Sequence, residues 1–247
     1  MMQPQIVIPN FKGLHNKSKE TRARLTKAQS FTDQSTVIIC PTRGVVPAKV
    51  VQSWMALMKP MNQKIIGPLF AIGLEVGEAY NSTIDAILAN PELSTYKYIL
   101  TIEEDNCPPP DGLLKLYESI EGMVDGVKYD VVGGIYWTKG EGGQPMIYGS
   151  PKVFPKNFIP QMPKVDGVQE ANGLGMGFNL FRMSIFKEKK VEKPWFKTLQ
   201  QYDPLKGART YTQDLYFYEN AGKLGYRFAC DVRVKVGHYD IINDIMW

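Results

Sequence analysis

Between Thr36 and Trp137, short apolar runs alternate with segments of helical pattern. "TVIIC" is continuous and β-branched, as a strand must be when both of its faces are buried. "PTRG" breaks it, and "VPAKVVQSWMALM" follows as a helix with Pro47 near its start. "KIIGPLFAI" and "GEAYNSTIDAILANP" repeat the pair. This second helix stops at Asn90, because Pro91 disfavours helical backbone in the residue before it. "YKYILTI" is a third strand, "DGLLKLYESIEGM" a third helix with Asp111 at its cap, and "YDVVGGIYW" the next strand. Such alternation predicts an α/β fold with a mostly parallel sheet and helices on its faces.

The flanks read differently. Residues 1–35 hold a short apolar run, "IVIP", and then the basic, polar "HNKSKETRARLTKAQS", which reads as an N-terminal arm. After Trp137 the chain turns rich in Gly and Pro, and long loops of that kind in compact domains are usually functional. Helical pattern returns at "TQDLYFYENAGKLG", and "RVKVGHYD" is a last strand. With 247 residues there is room for one large domain or two small ones. The change near residue 140 reads as a change of role inside one domain, 36–247.

A net charge of +4 suits an anionic small substrate or a weak nucleic-acid contact, and it lacks the density of a dedicated DNA binder. The three cysteines (Cys40, Cys107 and Cys230) are far apart with no CxxC spacing, which argues for a reducing compartment and against a zinc site. No run approaches the roughly 18 apolar residues of a membrane helix, and the first residues lack a signal-peptide core. A cytoplasmic protein with no membrane span is expected.

One stretch asks for a partner. The third strand ends in Glu103, Glu104 and Asp105, at the carboxyl end where parallel α/β sheets bind ligands. In extended chain Glu103 and Asp105 point to one side and Glu104 to the other. A pair of carboxylates aimed at one spot suits a hard cation, manganese or magnesium. The triplet alone reads more readily as a solvated strand end, with Asp105 or Asn106 capping a turn.

The order strand, "PTRG", helix, strand, "GEAYN", helix, strand, "EED" resembles the GT-A (Rossmann-like) fold of nucleotide-sugar glycosyltransferases. The likeness is to the family-2-like type, including those some phages carry. "VVGGIYW" looks like the strand bracketing the sugar site, and "GLGMGFNLFR" like the glycine-rich segment before the acceptor region. "PWF" at 194–196 and "TQDLYFYENAGKLGY" look like the Glu-Asp motif and its helix. "VGHYD" looks like the segment carrying a third metal ligand. Glu103 departs from the Asp that opens the family's Asp-x-Asp motif.

The resemblance implies a nucleotide-binding half (36–137) and a loop-rich acceptor-binding half (138–247). It implies nucleotide contacts from Pro41, Thr42, Arg43, Asn81 and Glu104, and a Mn2+ or Mg2+ ion on Glu103, Asp105 and His238. Asp214 would be the general base of an inverting hexosyl transfer. The donor would be a nucleoside diphosphate sugar, most often a UDP-sugar. The acceptor would be a saccharide, a protein or a modified nucleic acid base. Trp137, Tyr148 and Trp195 are candidate faces for sugar stacking.

Two rivals are weighed. A sugar-nucleotide pyrophosphorylase-like nucleotidyltransferase needs a Gly-rich, basic loop after its first strand, and "PTRGVVP" has one Gly and one Arg. A non-catalytic carbohydrate-binding module has no use for Asp214 beside a metal triad. "GLGMGF" lacks the spacing and the long helix of a dinucleotide fingerprint, so its glycines are expected to allow close backbone approach to a ligand.

Overall fold

The strands and helices of the first half form in the expected order. β1 (Thr36–Thr42) leads to α1 (Ala48–Ala56), β2 (Ile65–Ile72) to α2 (Val76–Ala89), and β3 (Tyr98–Ile102) to the short β4 (Asn106–Cys107) and α3 (Gly112–Ile120). β5 (Val131–Ile135) precedes the loop-rich stretch, which holds β6 (Ile147–Tyr148), β7 (Val168–Ala171), β8 (Gly173–Leu174), β9 (Phe178–Arg182) and the single-turn α4 (Ser184–Lys187). The hairpin β10 (Leu199–Asp203) and β11 (Gly207–Tyr211), α5 (Gln213–Lys223), β12 (Phe228–Lys235), β13 (Gly237–Asp240) and β14 (Ile245–Met246) complete it. This computed structural model describes residues 32–203 and 207–247. Most of the expected 1–35 arm therefore lies outside the described residues, and residues 34–247 form one unit.

The central sheet has seven strands in the order β2-β1-β3-β9-β5-β12-β7. β2, β1, β3, β5 and β12 run one way, and β9 and β7 run the other. The sheet is thus mostly parallel, as expected. Alternate residues of each strand serve opposite layers. Val37, Ile39 and Ile99 join Tyr80, Ile84 and Ile87 of α2 and Phe217 and Tyr218 of α5. Ile38, Cys40, Tyr98 and Leu100 join Leu113, Leu116, Tyr117 and Ile120 of α3. Helices therefore cover both faces, because only a two-sided strand buries every residue of a run like "TVIIC".

Several local expectations need correction. The "FNLFR" half of the glycine-rich segment is β9, an antiparallel strand wedged between β3 and β5 in mid-sheet. The expected last strand "RVKVGHYD" is divided between β12, which begins earlier at Phe228, and β13, and β14 follows both. Asp111 sits at the cap of α3 without a capping hydrogen bond and pairs with Lys115. A Cβ at Gly175 would meet the Tyr136 hydroxyl at 2.2 Å, and one at Gly177 the Asn106 carboxamide at 2.6 Å. These glycines make room for the chain's own side chains, not for a ligand. Trp195 is also placed otherwise than expected. It is buried against Phe186 and donates its indole N–H to Val191, so it offers no face to a sugar.

Candidate functional site

The carboxyl ends of β1 and β3 open onto a cleft of about 250 Å³, lined by Pro41, Thr42, Arg43, Leu74, Val76, Glu103, Glu104 and Asp105. Adjacent parallel strands end side by side, so "PTR" and "EED" meet, with Thr42 and Glu104 62 residues apart in sequence. The triplet is not extended as expected: β3 ends at Ile102, and Glu104 and Asp105 lie in a tight turn closed by the Asn106 N–H on the Glu103 carbonyl at 3.0 Å, from which Glu104 reaches the β1 loop. Its carboxylate accepts from Thr42 Oγ1 at 2.6 Å, from the Arg43 N–H at 2.8 Å and from Arg43 Nε at 2.6 Å. Burial pushes the Glu104 carboxyl up, but these bonds outweigh it and hold the group below its ordinary value.

Glu103 is in the opposite situation. Burial, and then the charge of Asp105, push its carboxyl up to about 7, and a 3.1 Å hydrogen bond from the Tyr80 hydroxyl and the nearness of His238 offset them in part. Asp105 is buried as well, which raises it. His238, 3.4 Å from its Oδ2, and the Lys139 ammonium, which donates to the same oxygen, reverse the sign and hold it below the usual carboxylate range.

His238 arrives from β13, which pairs with β4 immediately after the acid triplet. Its Nδ1 lies 2.7 Å from the Trp137 carbonyl, which can only accept, so Nδ1 carries a proton. In the neutral ring the Nε2 lone pair then faces Asp105 Oδ2 at 3.4 Å. The Tyr136 ring packs edge-on against the imidazole and fixes its plane. A carboxylate oxygen and an imidazole lone pair turned to one another, with the far nitrogen held by a carbonyl, fit a divalent cation. Among the described residues no three His, Cys, Asp or Glu side chains form such a group. The structure brings Asp105 and His238 together, while Glu103 turns to Tyr80.

Asn81 is set apart from this cleft. It lies inside α2, where its carboxamide donates to the Phe196 carbonyl at 2.7 Å and accepts from the Phe196 N–H at 3.1 Å. Asp214 lies in the first turn of α5, 5% exposed. Burial raises its carboxyl, against hydrogen bonds from Thr212 and the Leu215 N–H. Asp214 does not line the cleft at the ends of β1 and β3, but its charge raises the carboxyl of Glu103 and the hydroxyls of Tyr136 and Tyr148. Of the aromatics, Tyr148 is half-buried with its hydroxyl on Met146, and Trp137 serves through its carbonyl.

Sequence reasoning missed two residues of the site, Lys139 and Tyr80. Lys139 follows Trp137 in "WTKGEGGQP", and the glycines around it were its only signal. Tyr80 stands in the "GEAYN" segment, but its hydrogen bond to Glu103, 23 residues away, had no signal.

No protein-family model matches the chain, and no curated protein matches it. Among solved structures, A197 from STIV superposes with a TM-score of 0.55 at 19% identity, over 83% of this chain and 86% of that one. Residues 1–349 of S. aureus TarS align at a TM-score of 0.45 and 14% identity, over 79% of this chain and 57% of that one. The same TarS fragment in complex with UDP-GlcNAc aligns at 0.42 and 13%, over 79% and 55%. The chain shares the fold of A197, and its α/β sheet is of the mostly parallel, GT-A (Rossmann-like) kind that the sequence led us to expect. Among the described residues no helix is long and apolar enough to cross a membrane.

Proposed function

We propose that this protein is a glycosyltransferase that moves a hexosyl group from a nucleoside diphosphate sugar, a UDP-sugar first among candidates, to an acceptor hydroxyl. The observation that carries the reading is the cleft at the ends of β1 and β3, where Asp105 and His238 face one another beside the Thr42–Arg43 loop. Asp105 and His238 would hold Mn2+ or Mg2+, with Glu103 adding its charge from behind. The bound cation would supply Lewis-acid stabilisation of the diphosphate as it departs.

The chain's own residues have separate tasks. Thr42, Arg43 and Glu104 shape the loop on which the nucleotide lies, and Arg43 is the exposed cation there. The bond from the anomeric carbon to the phosphate oxygen breaks and its electron pair leaves with that oxygen. The acceptor oxygen forms the new bond from the opposite face, and its proton passes to Asp214. That sequence inverts the anomeric configuration.

The test is thermal unfolding with UDP or UDP-sugars, in Mn2+ or in chelator. A ligand at about 100 times its Kd stabilises by about 2.7 kcal/mol, a shift of several degrees at this size. We expect that shift with Mn2+ and its loss in chelator. No shift with any nucleoside diphosphate would overturn the reading.

A further inference from the structure

Asp105, the residue best placed to hold a cation, is already occupied by one the chain supplies. The ammonium of Lys139 donates to Asp105 Oδ2, the same oxygen that faces His238. Lys139 stands at the root of a closed loop. Trp137 bridges Pro145, the Thr138 N–H donates to the Gln144 carbonyl at 2.9 Å, and the Gln144 N–H donates to Thr138 Oγ1 at 2.8 Å. At the tip, Gly140 and Gly142 have φ of +101° and +74°, conformations that side-chain-bearing residues resist. The base of the loop is therefore fixed by hydrogen bonds, and the Lys139 side chain is the part free to change partner.

The charges of the cleft make that change consequential. Glu103, Glu104 and Asp105 line it, and Arg43 is engaged by Glu104. Lys139 is thus the cation that Asp105 holds when nothing is bound. Once Asp105 is committed to a divalent cation, the ammonium loses its acceptor and is repelled from the same spot. Its tether keeps it within reach of the cleft, where the diphosphate oxygens are the acceptors that the ligand brings.

We infer that Lys139 is a two-position cation: it neutralises Asp105 in the free protein and pairs with the donor's diphosphate in the loaded site. This rests on the glycosyl-transfer reading and names a further residue for it. In the second position the ammonium offsets the negative charge that grows on the leaving oxygen as the glycosidic bond breaks. In the first it spares the free protein an uncompensated acidic cluster, and it competes with the metal for Asp105.

Lys139→Met separates the two positions, because they predict changes of opposite sign. Titration of Mn2+ alone, followed by its electron paramagnetic resonance signal, should show at least about threefold tighter binding once the competing ammonium is gone. Calorimetric titration of UDP at saturating Mn2+ should show about tenfold weaker binding, the scale of one charge-assisted contact. Lys139→Arg should restore most of the UDP affinity, which a merely structural defect would not allow. Unchanged constants, or a loss of both affinities together, would overturn the inference while wild-type protein still binds UDP. Failure of wild-type protein to bind any nucleoside diphosphate would instead remove the glycosyl-transfer reading and this inference with it.

Discussion

Asp214 is held by its own helix. Its carboxylate accepts from the Leu215 N–H at 2.9 Å in the first turn of α5, where the macrodipole favours negative charge. Burial opposes that and wins, so the carboxyl sits above its ordinary value and is a somewhat stronger base than a free aspartate. Asp214→Asn keeps an oxygen for the Leu215 N–H and so keeps the helix start. We expect turnover to fall by about 10²–10⁴ while donor affinity changes by less than about twofold. Near-normal turnover would demote Asp214 to a helix-end carboxylate, and a product retaining the donor's anomeric configuration would rule out the opposite-face base. That the acid triplet stands at the carboxyl end of β3 was legible in the chain, because an apolar run followed by prolines marks where the strand stops. The Lys139 contact was not, since it joins residues 34 positions apart through a loop with no periodic signal.

At the scale of elements, one carboxylate ties two strand ends. Glu104 at the end of β3 accepts from the Thr42 side chain, the Arg43 backbone and the Arg43 side chain at the end of β1. Glu104→Ala would free the loop and leave Thr42, itself buried, without its acceptor. We expect a loss of about 1–2 kcal/mol in urea unfolding and about tenfold weaker UDP binding by calorimetry. If UDP affinity holds while stability drops, the tie is structural and the loop does not touch the nucleotide. The parallel half of the sheet was legible because its strands alternate with helices at short range. β9 was not, because its pairings with β3 and β5 are antiparallel and long-range. Five residues after a glycine-rich stretch carry neither a turn signal nor a period. Asn81 misled for a related reason. Its place in the motif was visible, but the Phe196 backbone that engages it lies 115 residues away.

Across the whole molecule, the two ends of the sheet are stabilised differently. The carboxyl ends gather acids that repel one another, whereas the opposite end is clamped by an acid with several donors. Glu121, just past α3, accepts from Arg182 at the end of β9 and from Lys97 and Tyr98 at the start of β3. Arg182 also donates to the Ile120 and Tyr129 carbonyls, so one network joins the helix layer to mid-sheet. Burial pushes the Glu121 carboxyl up, but the bonds from Tyr98, Lys97 and Arg182 prevail and hold it down at about 2. A carboxyl depressed in the folded state contributes stability that is present above its unfolded value, near 4.5. That contribution is lost as pH falls from there through about 2. Solvent still screens this site, so we put the contribution at about 1–3 kcal/mol. Glu121→Gln should therefore lower unfolding stability by that amount at pH 7 and flatten its decline below pH 4.5, as read by urea titrations at stepped pH. Because the network lies at the sheet end away from the cleft, UDP affinity at pH 7 should stay within about twofold of wild type. An acid limb as steep in the variant as in wild type would assign the acid sensitivity to other carboxylates. A parallel loss of UDP affinity would mean that the two ends of the sheet are coupled.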